Sequence, residues 1–278
     1  MLKKIGRLDA DTIDEIEKLI NSFYRLIENE KYEKAEKKIF NITKTPNFFI
    51  REYIGEKLSE ATNIDEIEKI ADKMLKHKIY GIRATALFFY FFKYENQPER
   101  ILKVLDTVYD DVPWETEKIV NKLWKKYPSI MKKYMSEWIK SEDEKKRALA
   151  FHGMENISRK DPFFIMDFVG NVLDDNSIKV QKKITHILTQ VARTKPAESY
   201  PYIRKWLIKA DNKRKKTIWI SMKKLVNILN QRSKRDKSEE FIILTKQTIS
   251  NWRRDKNKNV KSVGSRLYHI LKKNKKRK

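Results

Sequence analysis

A row of basic and polar side chains between residues 178 and 194 has the spacing of one helical face. Its members are Lys182, His186, Thr189 and Arg193, which fall within a band of about 60° when residues are placed 100° apart around a helix axis. The apolar stripe on the opposite side consists of Val180, Ile184, Ile187, Leu188 and Val191. Because ammonium and guanidinium groups pair with phosphate, the row predicts contacts with a nucleic-acid backbone.

Two further clusters combine cationic side chains with an indole ring. They consist of Lys213, Arg214, Lys215 and Lys216 before Trp219, and of Arg253 and Arg254 after Trp252. Cations contact phosphates while an indole stacks on a base or a sugar, so both clusters are candidate DNA-binding sites. Three other tryptophans have the spacing of core residues, so we expect them to pack in the interior; these are Trp124, Trp138 and Trp206.

The positive charge is concentrated at the C-terminal end. The formal net charge of the 278 residues is +25. Residues 1–200 hold 37 Lys+Arg and 33 Asp+Glu, whereas residues 201–278 hold 26 Lys+Arg and 5 Asp+Glu. A compositional bias alone would have raised the charge of the first part as well, so this asymmetry favours a polyanionic partner.

Several kinds of chemistry are excluded or disfavoured by composition. The chain has no cysteine, which excludes disulfides, thiol nucleophiles and thiolate metal sites. The four histidines are His77, His152, His186 and His269, and no two have the spacing of metal ligands. Six glycines are too few for the phosphate loops of a doubly wound nucleotide fold. We therefore expect no metal and no cofactor.

The apolar segments predict a protein outside the membrane. The longest is Ala84–Phe92, far shorter than the roughly 20 residues of a spanning helix. Residues 1–18 are charged and lack the apolar centre of a signal peptide. We expect a cytoplasmic protein, nucleoid-associated if the source is prokaryotic, and a monomer.

A repeated helix-start pattern predicts the fold. A short polar turn is followed by an apolar or basic pair that opens an amphipathic helix, and the second members of these pairs are Arg51, Arg83, Arg147, Gln181, Lys216 and Lys261. Their separations are 32, 64, 34, 35 and 45 residues, and the turn Asp110–Trp114 lies near the middle of the 64-residue gap, which is two periods of 32. Stacked helix pairs repeat in this way, so we predict an all-α fold, a right-handed α-solenoid of HEAT-like pairs forming an armadillo-like superhelix.

The same pattern predicts the domain organisation. We expect one domain over residues 1–271, with its strongly basic quarter at 201–271, a loop at Gln231–Lys237 and a mobile basic tail at 272–278. All seven prolines are predicted to lie in or beside turns, where a missing N–H is tolerated; they are Pro46, Pro98, Pro113, Pro128, Pro162, Pro196 and Pro201.

Four segments between residues 47 and 207 resemble the AlkD-like DNA alkylation repair family, HEAT-like solenoids that include N-alkylpurine DNA glycosylases. They are Ile79–Arg83, Asp110–Trp114, Trp138–Arg147 and Asp174–Pro196. The resemblance implies a DNA-binding cleft. In the active glycosylases of this family an aspartate of the middle turn stabilises the cationic sugar as the alkylated base departs, and two tryptophans help to form the cleft.

The resemblance carries over to this sequence with two departures. Trp114 matches the first tryptophan, and Arg147, in the basic pair with Lys146, matches an arginine near the DNA backbone. The aspartate position holds Lys118 and the second tryptophan position holds His186. An ammonium group repels a cationic sugar, so glycosylase activity is expected to be absent or altered unless Glu117 supplies the carboxylate. Glu115 is a second neighbouring carboxylate. The catalytic candidates are Trp114, Glu117 and Lys118.

Three functions compete on these observations. The first is a HEAT-repeat protein that grips the backbone of duplex or damaged DNA in a basic concave cleft. The second is an active alkylpurine DNA glycosylase that uses Glu117 or Glu115. The third is a protein–protein scaffold with an acidic partner, the commonest use of HEAT arrays. Charge alone does not separate DNA from RNA.

Overall fold

The fold is a series of short antiparallel helices. The chain is described here by a computed structural model that covers residues 6–232 and 239–275. In these residues every regular element is helical, which confirms the all-α prediction. Backbone contacts divide the chain into two compact units, Met1–Ile119 (unit 1) and Val120–Lys278 (unit 2). A single domain over 1–271 and the right-handed sense of the superhelix stay predictions.

Unit 1 contains six complete helices and the start of a seventh. They are α1 (Ala10–Glu28), α2 (Tyr32–Thr43), α3 (Phe48–Ser59), α4 (Ile64–Leu75), α5 (Tyr80–Lys93) and α6 (Pro98–Val108), followed by the first half of α7 (Pro113–Lys126). Helix α3 contacts α1 and α5, so the odd-numbered helices form one layer. The even-numbered helices α2, α4 and α6 each contact helices of this layer. The core includes the predicted residues Ile50, Ile54 and Leu58.

Unit 2 continues the same alternation after the second half of α7. Its elements are α8 (Pro128–Trp138), α9 (Glu144–Leu149), a 3-10 turn (Met154–Asn156), α10 (Pro162–Gly170), α11 (Ile178–Thr194), α12 (Pro196–Lys209), α13 (Asn212–Arg232), α14 (Glu239–Arg253) and α15 (Lys258–Lys275). Helices α9, α11, α13 and α15 contact one another in succession, and so do α10, α12 and α14. The predicted apolar stripe of α11 is entirely buried.

The predicted turns lie at the starts of the odd-numbered helices, and the structure shows why they repeat. The fourth residue of four of these helices folds back and donates a hydrogen bond to the carbonyl six residues earlier, at 3.2 Å for Arg51 to Thr45, 2.6 Å for Arg83 to His77, 2.8 Å for Arg147 to Ser141 and 2.8 Å for Gln181 to Asp175. A turn carbonyl is thereby satisfied by a side chain of the next helix. In α7 the fourth residue is Thr116, and Glu115, 32 positions after Arg83, is the third.

The proline prediction is correct at six positions and wrong at one. Five prolines begin α6, α7, α8, α10 and α12, where no backbone N–H is needed, and Pro46 lies in the turn before α3. Pro201 instead lies inside α12. Its fixed φ suits a helix, and both Pro201 and Ala197, whose carbonyl loses its backbone partner, are exposed, so water can satisfy that carbonyl.

The C-terminal boundaries differ from the expected ones. Helix α13 runs through Arg232, and most of the predicted loop Gln231–Lys237 lies outside the described residues. Helix α15 continues to Lys275, so the first part of the predicted tail is helical, and residues 276–278 are not described. No helix in the described ranges is both long and apolar enough to cross a bilayer.

Candidate nucleic-acid interface

Three alternate helices of unit 2 contain basic residues but no acidic ones. Helices α11, α13 and α15 together contain 17 Lys+Arg and no Asp or Glu. The neighbouring layer, α10, α12 and α14, contains 5 Lys+Arg and 4 Asp+Glu. Because α13 contacts both α11 and α15, the acid-free helices are adjacent. The charge of unit 2 is therefore separated between its two helix layers.

One set of positions on these helices holds six of their 17 cations; we call it the basic face. It consists of positions 5, 9, 12 and 16 of each helix, which share a side because the spacing follows the helical repeat. The residues at these positions are Lys182, His186, Thr189 and Arg193 of α11, Lys216, Ile220, Lys223 and Asn227 of α13, and Ser262, Arg266, His269 and Lys273 of α15. Six of the twelve are Lys or Arg, and the predicted row of α11 is its first part.

The four members of the predicted row of α11 differ in exposure. Lys182 is exposed, and His186 is half-buried. Arg193 is also half-buried and donates to the Gln190 side chain at 2.8 Å. Thr189 is buried, so it offers nothing to a ligand.

The predicted cluster at the start of α13 divides in two. Lys213 donates to Asn176 at 2.9 Å, and Arg214 binds Asp174 at 3.0 Å, so these two residues tie α13 to the turn before α11. Lys215 is half-buried, with its amine 3.4 Å from the side-chain oxygen of Asn259. Lys216 is exposed and belongs to the basic face.

The two indole clusters also differ from each other. Trp219 is half-buried, and the guanidinium of Arg266 lies 3.7 Å from the centroid of its ring, which joins α13 to α15. Trp252 is 3% exposed and meets Tyr200 edge to face, so it has no surface for a base. Arg253 and Arg254 are exposed, and Arg253 lies over the Tyr268 ring at 4.4 Å. Of the predicted cluster, Arg253 and Arg254 are therefore at the surface and Trp252 is in the core.

Arg147 is held inside unit 2 by its own neighbours. It binds both carboxylate oxygens of Asp175, at 2.7 and 3.2 Å, and donates to the carbonyls of Ser141 and Glu142 at 2.8 Å. The hydrogen bond to Asp175 raises the pKa of the guanidinium. Its partner in the basic pair, Lys146, is half-buried with its amine 5.4 Å from the Trp138 ring. Arg147 thus links two repeats.

His186 pairs with an acidic residue next to the basic face. Its Nε2 lies 2.8 Å from Glu155 of the 3-10 turn. Burial acts to raise the pKa of the Glu155 carboxyl, but the hydrogen bond and charge of His186 outweigh it and hold this pKa below its usual value. The described residues contain no group of three or more potential metal ligands.

Unit 1 contains an aromatic cleft of about 770 Å³ near Trp114. Trp114 is the most exposed large hydrophobic residue described, at 74%. The cleft is lined by Lys44, Thr45, Pro46, Phe48, Phe49, Arg51, Ile79, Tyr80, Gly81 and Trp114. Phe48, Tyr80 and Trp114 stand at the starts of α3, α5 and α7, so the turn repeat brings three aromatic rings to one end of unit 1.

A buried ion pair lies next to the cleft, since Arg51 lines the cleft and binds Glu115. Glu115 is fully buried and accepts hydrogen bonds from Arg51, at 2.5 and 3.1 Å, and from the Tyr80 hydroxyl at 2.6 Å. Burial, followed by the bond to Glu115, raises the pKa of Tyr80. Two carboxylate oxygens with three donors have little capacity left. Glu115 is therefore a structural residue and is unsuited to the catalytic role considered for it.

Lys118 is also neutralised locally. Its amine forms an ion pair with Glu52 of α3 and lies 4.7 Å from the centroid of the Phe48 ring. Glu117 is exposed on the same helix. Glu115 and Glu52 thus each have a cationic partner, whereas Glu117 lies at the surface.

Sequence reasoning missed most of this cleft. Phe48, Phe49 and Tyr80, which line the cleft, and Glu52, which pairs with Lys118, were not among the candidate site residues, although the sequence carried one signal for the aromatic rings. An aromatic residue is the first residue of α3 and of α5 and the second of α7, at positions 48, 80 and 114, with a spacing close to that of the repeat. The pairing of Lys118 with Glu52 has no such signal, because the two residues lie 66 positions apart.

A comparison with models of known protein families identifies the family of this chain. The family model described as DNA alkylation repair enzyme matches residues 25–225, and the chain belongs to this family. No curated protein matches it. Among solved structures, an engineered protein from a structural genomics consortium is 14% identical, with a TM-score of 0.31 over 80% of this chain and 98% of that one. This likeness is too low to support an argument. Residues 226–278, including α14 and α15, lie beyond the family match.

Proposed function

We propose that this protein binds DNA through the basic face of unit 2 and that it lacks ordinary alkylpurine glycosylase activity or has an altered one. Membership of the DNA alkylation repair enzyme family supports a role in DNA repair. The observation that carries the proposal is the concentration of 17 cations and no acid on three adjacent helices. Duplex DNA is the partner whose regular rows of phosphates match such a face.

The energetics of this surface are those of counterion release. Each phosphate that a lysine or arginine neutralises frees condensed cations, so binding strengthens steeply as salt is lowered. The six Lys and Arg of the basic face lie on helices that are packed against each other, so their backbone positions are fixed before DNA arrives. We expect the protein to act as a monomer in the cytoplasm, associated with the nucleoid if the source is prokaryotic.

The proposed loss of ordinary glycosylase chemistry is supported by the charges around Trp114. Stabilising a cationic sugar requires a carboxylate with its charge available at the reacting carbon. The aspartate position of the family holds Lys118, and Glu115 is buried with three donors. Glu52 is occupied by Lys118 itself.

The runner-up function is an active alkylpurine glycosylase, which the exposure of Glu117 favours. The assay is the release of 7-methylguanine or 3-methyladenine from alkylated DNA, with Glu117→Gln as the comparison. Release by the wild type that disappears in Glu117→Gln would establish this function and overturn the proposed loss. Equal release by both proteins would remove Glu117 from the mechanism.

DNA binding is tested by removing the same charge from two layers of unit 2. The first variant combines Lys216→Gln, Lys223→Gln and Arg266→Gln on the basic face. The matched control combines Lys205→Gln, Lys209→Gln and Lys246→Gln, all exposed on α12 and α14. We expect the slope of log affinity against log salt to fall by about 3 for the first variant and to change little for the control.

The contrary outcomes separate the competing functions. Equal losses in both variants would show that only net charge attracts DNA and would overturn the basic face. A response of affinity that is flat with salt would exclude phosphate-driven binding altogether. Retention of an acidic protein partner after nuclease treatment would then favour the scaffold. Tighter binding of an RNA duplex than of a DNA duplex of the same sequence would transfer the proposal to RNA.

A further inference from the structure

Helix α13 presents a single stripe of side chains to solvent. The exposed residues between positions 213 and 229 are Lys213, Lys216, Ile220, Lys223, Lys224 and Asn227. All others in this range are half-buried or buried. Apart from Lys224, the exposed residues follow one another at separations of three or four positions, which places them along one side of the helix. An isoleucine therefore lies in the middle of a stripe of lysines.

The neighbouring helices place this isoleucine at the centre of the basic face. Ile220 is residue 9 of α13, which contacts both α11 and α15. The residues at the same position of those helices are His186 and Arg266. Of the twelve residues of the basic face, only Ile220 is apolar, and it is 41% exposed. A solitary exposed isoleucine needs no explanation elsewhere on a protein, but this one is surrounded by the groups that would hold a duplex.

The spacing of the lysines around Ile220 suits the minor groove of a duplex. Lys216 precedes Ile220 by four residues and Lys223 follows it by three, so all three side chains share one side of α13. With a rise of about 1.5 Å per residue, the two lysines are about 10 Å apart along the helix axis. The minor groove is about 6 Å wide, so the two amines can reach phosphates of opposite strands while Ile220 faces the groove between them.

An arginine is held beside this position by a cation–π contact. Arg266 is exposed, and its guanidinium lies 3.7 Å from the centroid of the Trp219 ring, which belongs to the residue before Ile220. This contact restricts the Arg266 side chain in the free protein, so less conformational entropy is lost when it meets DNA. Proteins that bind the minor groove use arginine there, and they frequently insert an apolar side chain between base pairs as well.

We propose that Ile220 is a wedge that enters a base-pair step from the minor groove and kinks the duplex bound by the basic face. Insertion removes an exposed apolar side chain from water, which offsets part of the cost of unstacking the step. Steps of a pyrimidine followed by a purine unstack most easily. The proposal rests on the proposed DNA binding and adds to it a preference of the basic face for deformable duplex over stiff duplex.

The test uses the full-length protein and two duplexes of the same length and base composition, one with TTAA at its centre and one with AATT. Only the first contains the flexible TA step, and it carries 2-aminopurine at the adenine of that step and a fluorophore pair at its ends. We expect the wild type to raise the 2-aminopurine emission and to shorten the end-to-end distance through a kink of about 20–90°. It should also bind the TTAA duplex about fivefold more tightly than the AATT duplex.

Ile220→Ala should abolish the rise in emission and the kink, and should reduce the preference for the TTAA duplex toward one. It removes no charge, so the slope of log affinity against log salt should stay unchanged. Ile220→Leu keeps an apolar wedge and should retain all three signals. The matched control is Ile243→Ala on α14, which removes a similarly exposed isoleucine from the other helix layer of unit 2 and should behave like the wild type.

The outcomes separate failure of the wedge from failure of the basic face. Loss of the signals in Ile220→Ala alone supports the wedge. Binding by the wild type without a rise in emission or a kink overturns the wedge and leaves the basic face standing, as does an Ile220→Ala protein that kinks the duplex as strongly as the wild type. A dimer of the wild type that Ile220→Ala dissociates would assign Ile220 to a protein contact instead. Absence of binding to either duplex at low salt overturns both the basic face and the wedge.

Discussion

The two units are built from the same helix-pair repeat but differ in net charge. Unit 1 contains 21 Lys+Arg and 23 Asp+Glu, whereas unit 2 contains 42 Lys+Arg and 15 Asp+Glu. Both begin their odd-numbered helices with the same polar turn, and both fold the fourth side chain back onto it. The difference shows that the repeat specifies the backbone, while the outward positions of each helix are available for function.

The fourth position itself illustrates how the units diverge. In unit 1 the fourth residue of α3, Arg51, forms a buried ion pair with Glu115, the third residue of α7, and the Tyr80 hydroxyl donates a hydrogen bond to Glu115. In unit 2 Arg147 at the same position binds Asp175 of the following turn and keeps partial contact with water. The same register therefore gives a closed polar network below the aromatic cleft and a half-buried link between repeats near the basic face.

The largest expected effect comes from breaking the buried pair of unit 1. Arg51→Met leaves the Glu115 carboxylate buried without its cation, and we expect the free energy of unfolding to fall by about 3–5 kcal/mol. Arg147→Met, at the corresponding position of unit 2, should cost less because its partners can rehydrate. Urea denaturation of both variants measures the comparison. Equal losses would contradict the difference in burial, and Lys69→Met, at an exposed ion pair of α4, should leave the value nearly unchanged.

An intermediate effect is expected from adding one methyl group where helices of either unit approach closely. A Cβ at Gly55 would lie 2.5 Å from Cβ of Phe88, and a Cβ at Gly264 would lie 2.5 Å from the backbone nitrogen of Arg253. Because backbone or core must move, we expect Gly55→Ala and Gly264→Ala each to destabilise the protein by about 1–3 kcal/mol.

The matched control for this pair is Gly170→Ala. The nearest atoms to its added Cβ belong to the side chain of Trp206, at 3.0–3.2 Å, and a side chain can shift more readily than a backbone. Thermal unfolding of the three variants orders them. If Gly170→Ala loses as much stability as Gly264→Ala, close backbone approach does not explain the glycines of either unit.

The smallest effect concerns the acid stability of unit 2. The hydrogen bond from Arg204 lowers the pKa of Asp255, so this carboxylate stabilises the folded state above its unfolded pKa of about 3.9. That contribution is lost as the pH falls through the lowered pKa. Asp255→Asn should therefore reduce stability at neutral pH by up to about 1 kcal/mol, since the pair is partly exposed.

A pH series of unfolding midpoints checks this sign. The difference between wild type and Asp255→Asn should shrink toward zero as the pH is lowered through the acidic range. A difference that persists unchanged in acid would assign the role of Asp255 to its hydrogen bond with the Asn257 backbone, at 2.9 Å, instead of to its charge.

Much of the fold was predictable because its causes are local. Helical apolar spacing identified the buried stripe from Val180 to Val191, and the recurrence of polar turns placed the starts of the odd-numbered helices. Pro201 was misjudged because a helix tolerates proline when the carbonyl that loses its partner is exposed, and exposure is a tertiary property.

The site was less predictable because charge and burial depend on partners distant in sequence. Trp252 had the neighbours expected of a DNA-stacking residue but is buried against Tyr200. Arg147 and Arg214 were expected on the DNA surface, yet each binds an aspartate of a turn near α11. Lys118 was expected to present a bare positive charge, and Glu52 neutralises it.

The sequence by itself determined that the chain is a helical repeat with an excess of cations at its C-terminal end, because periodicity and composition need no knowledge of neighbours. Only the tertiary structure decided which cations reach the surface and which carboxylates are engaged. It gathered the cations of α11, α13 and α15 on adjacent helices and buried Glu115 under three aromatic helix starts. The physical reason is that the charge available to a ligand depends on which opposite charges the fold brings within a few ångströms, and those contacts join residues many positions apart.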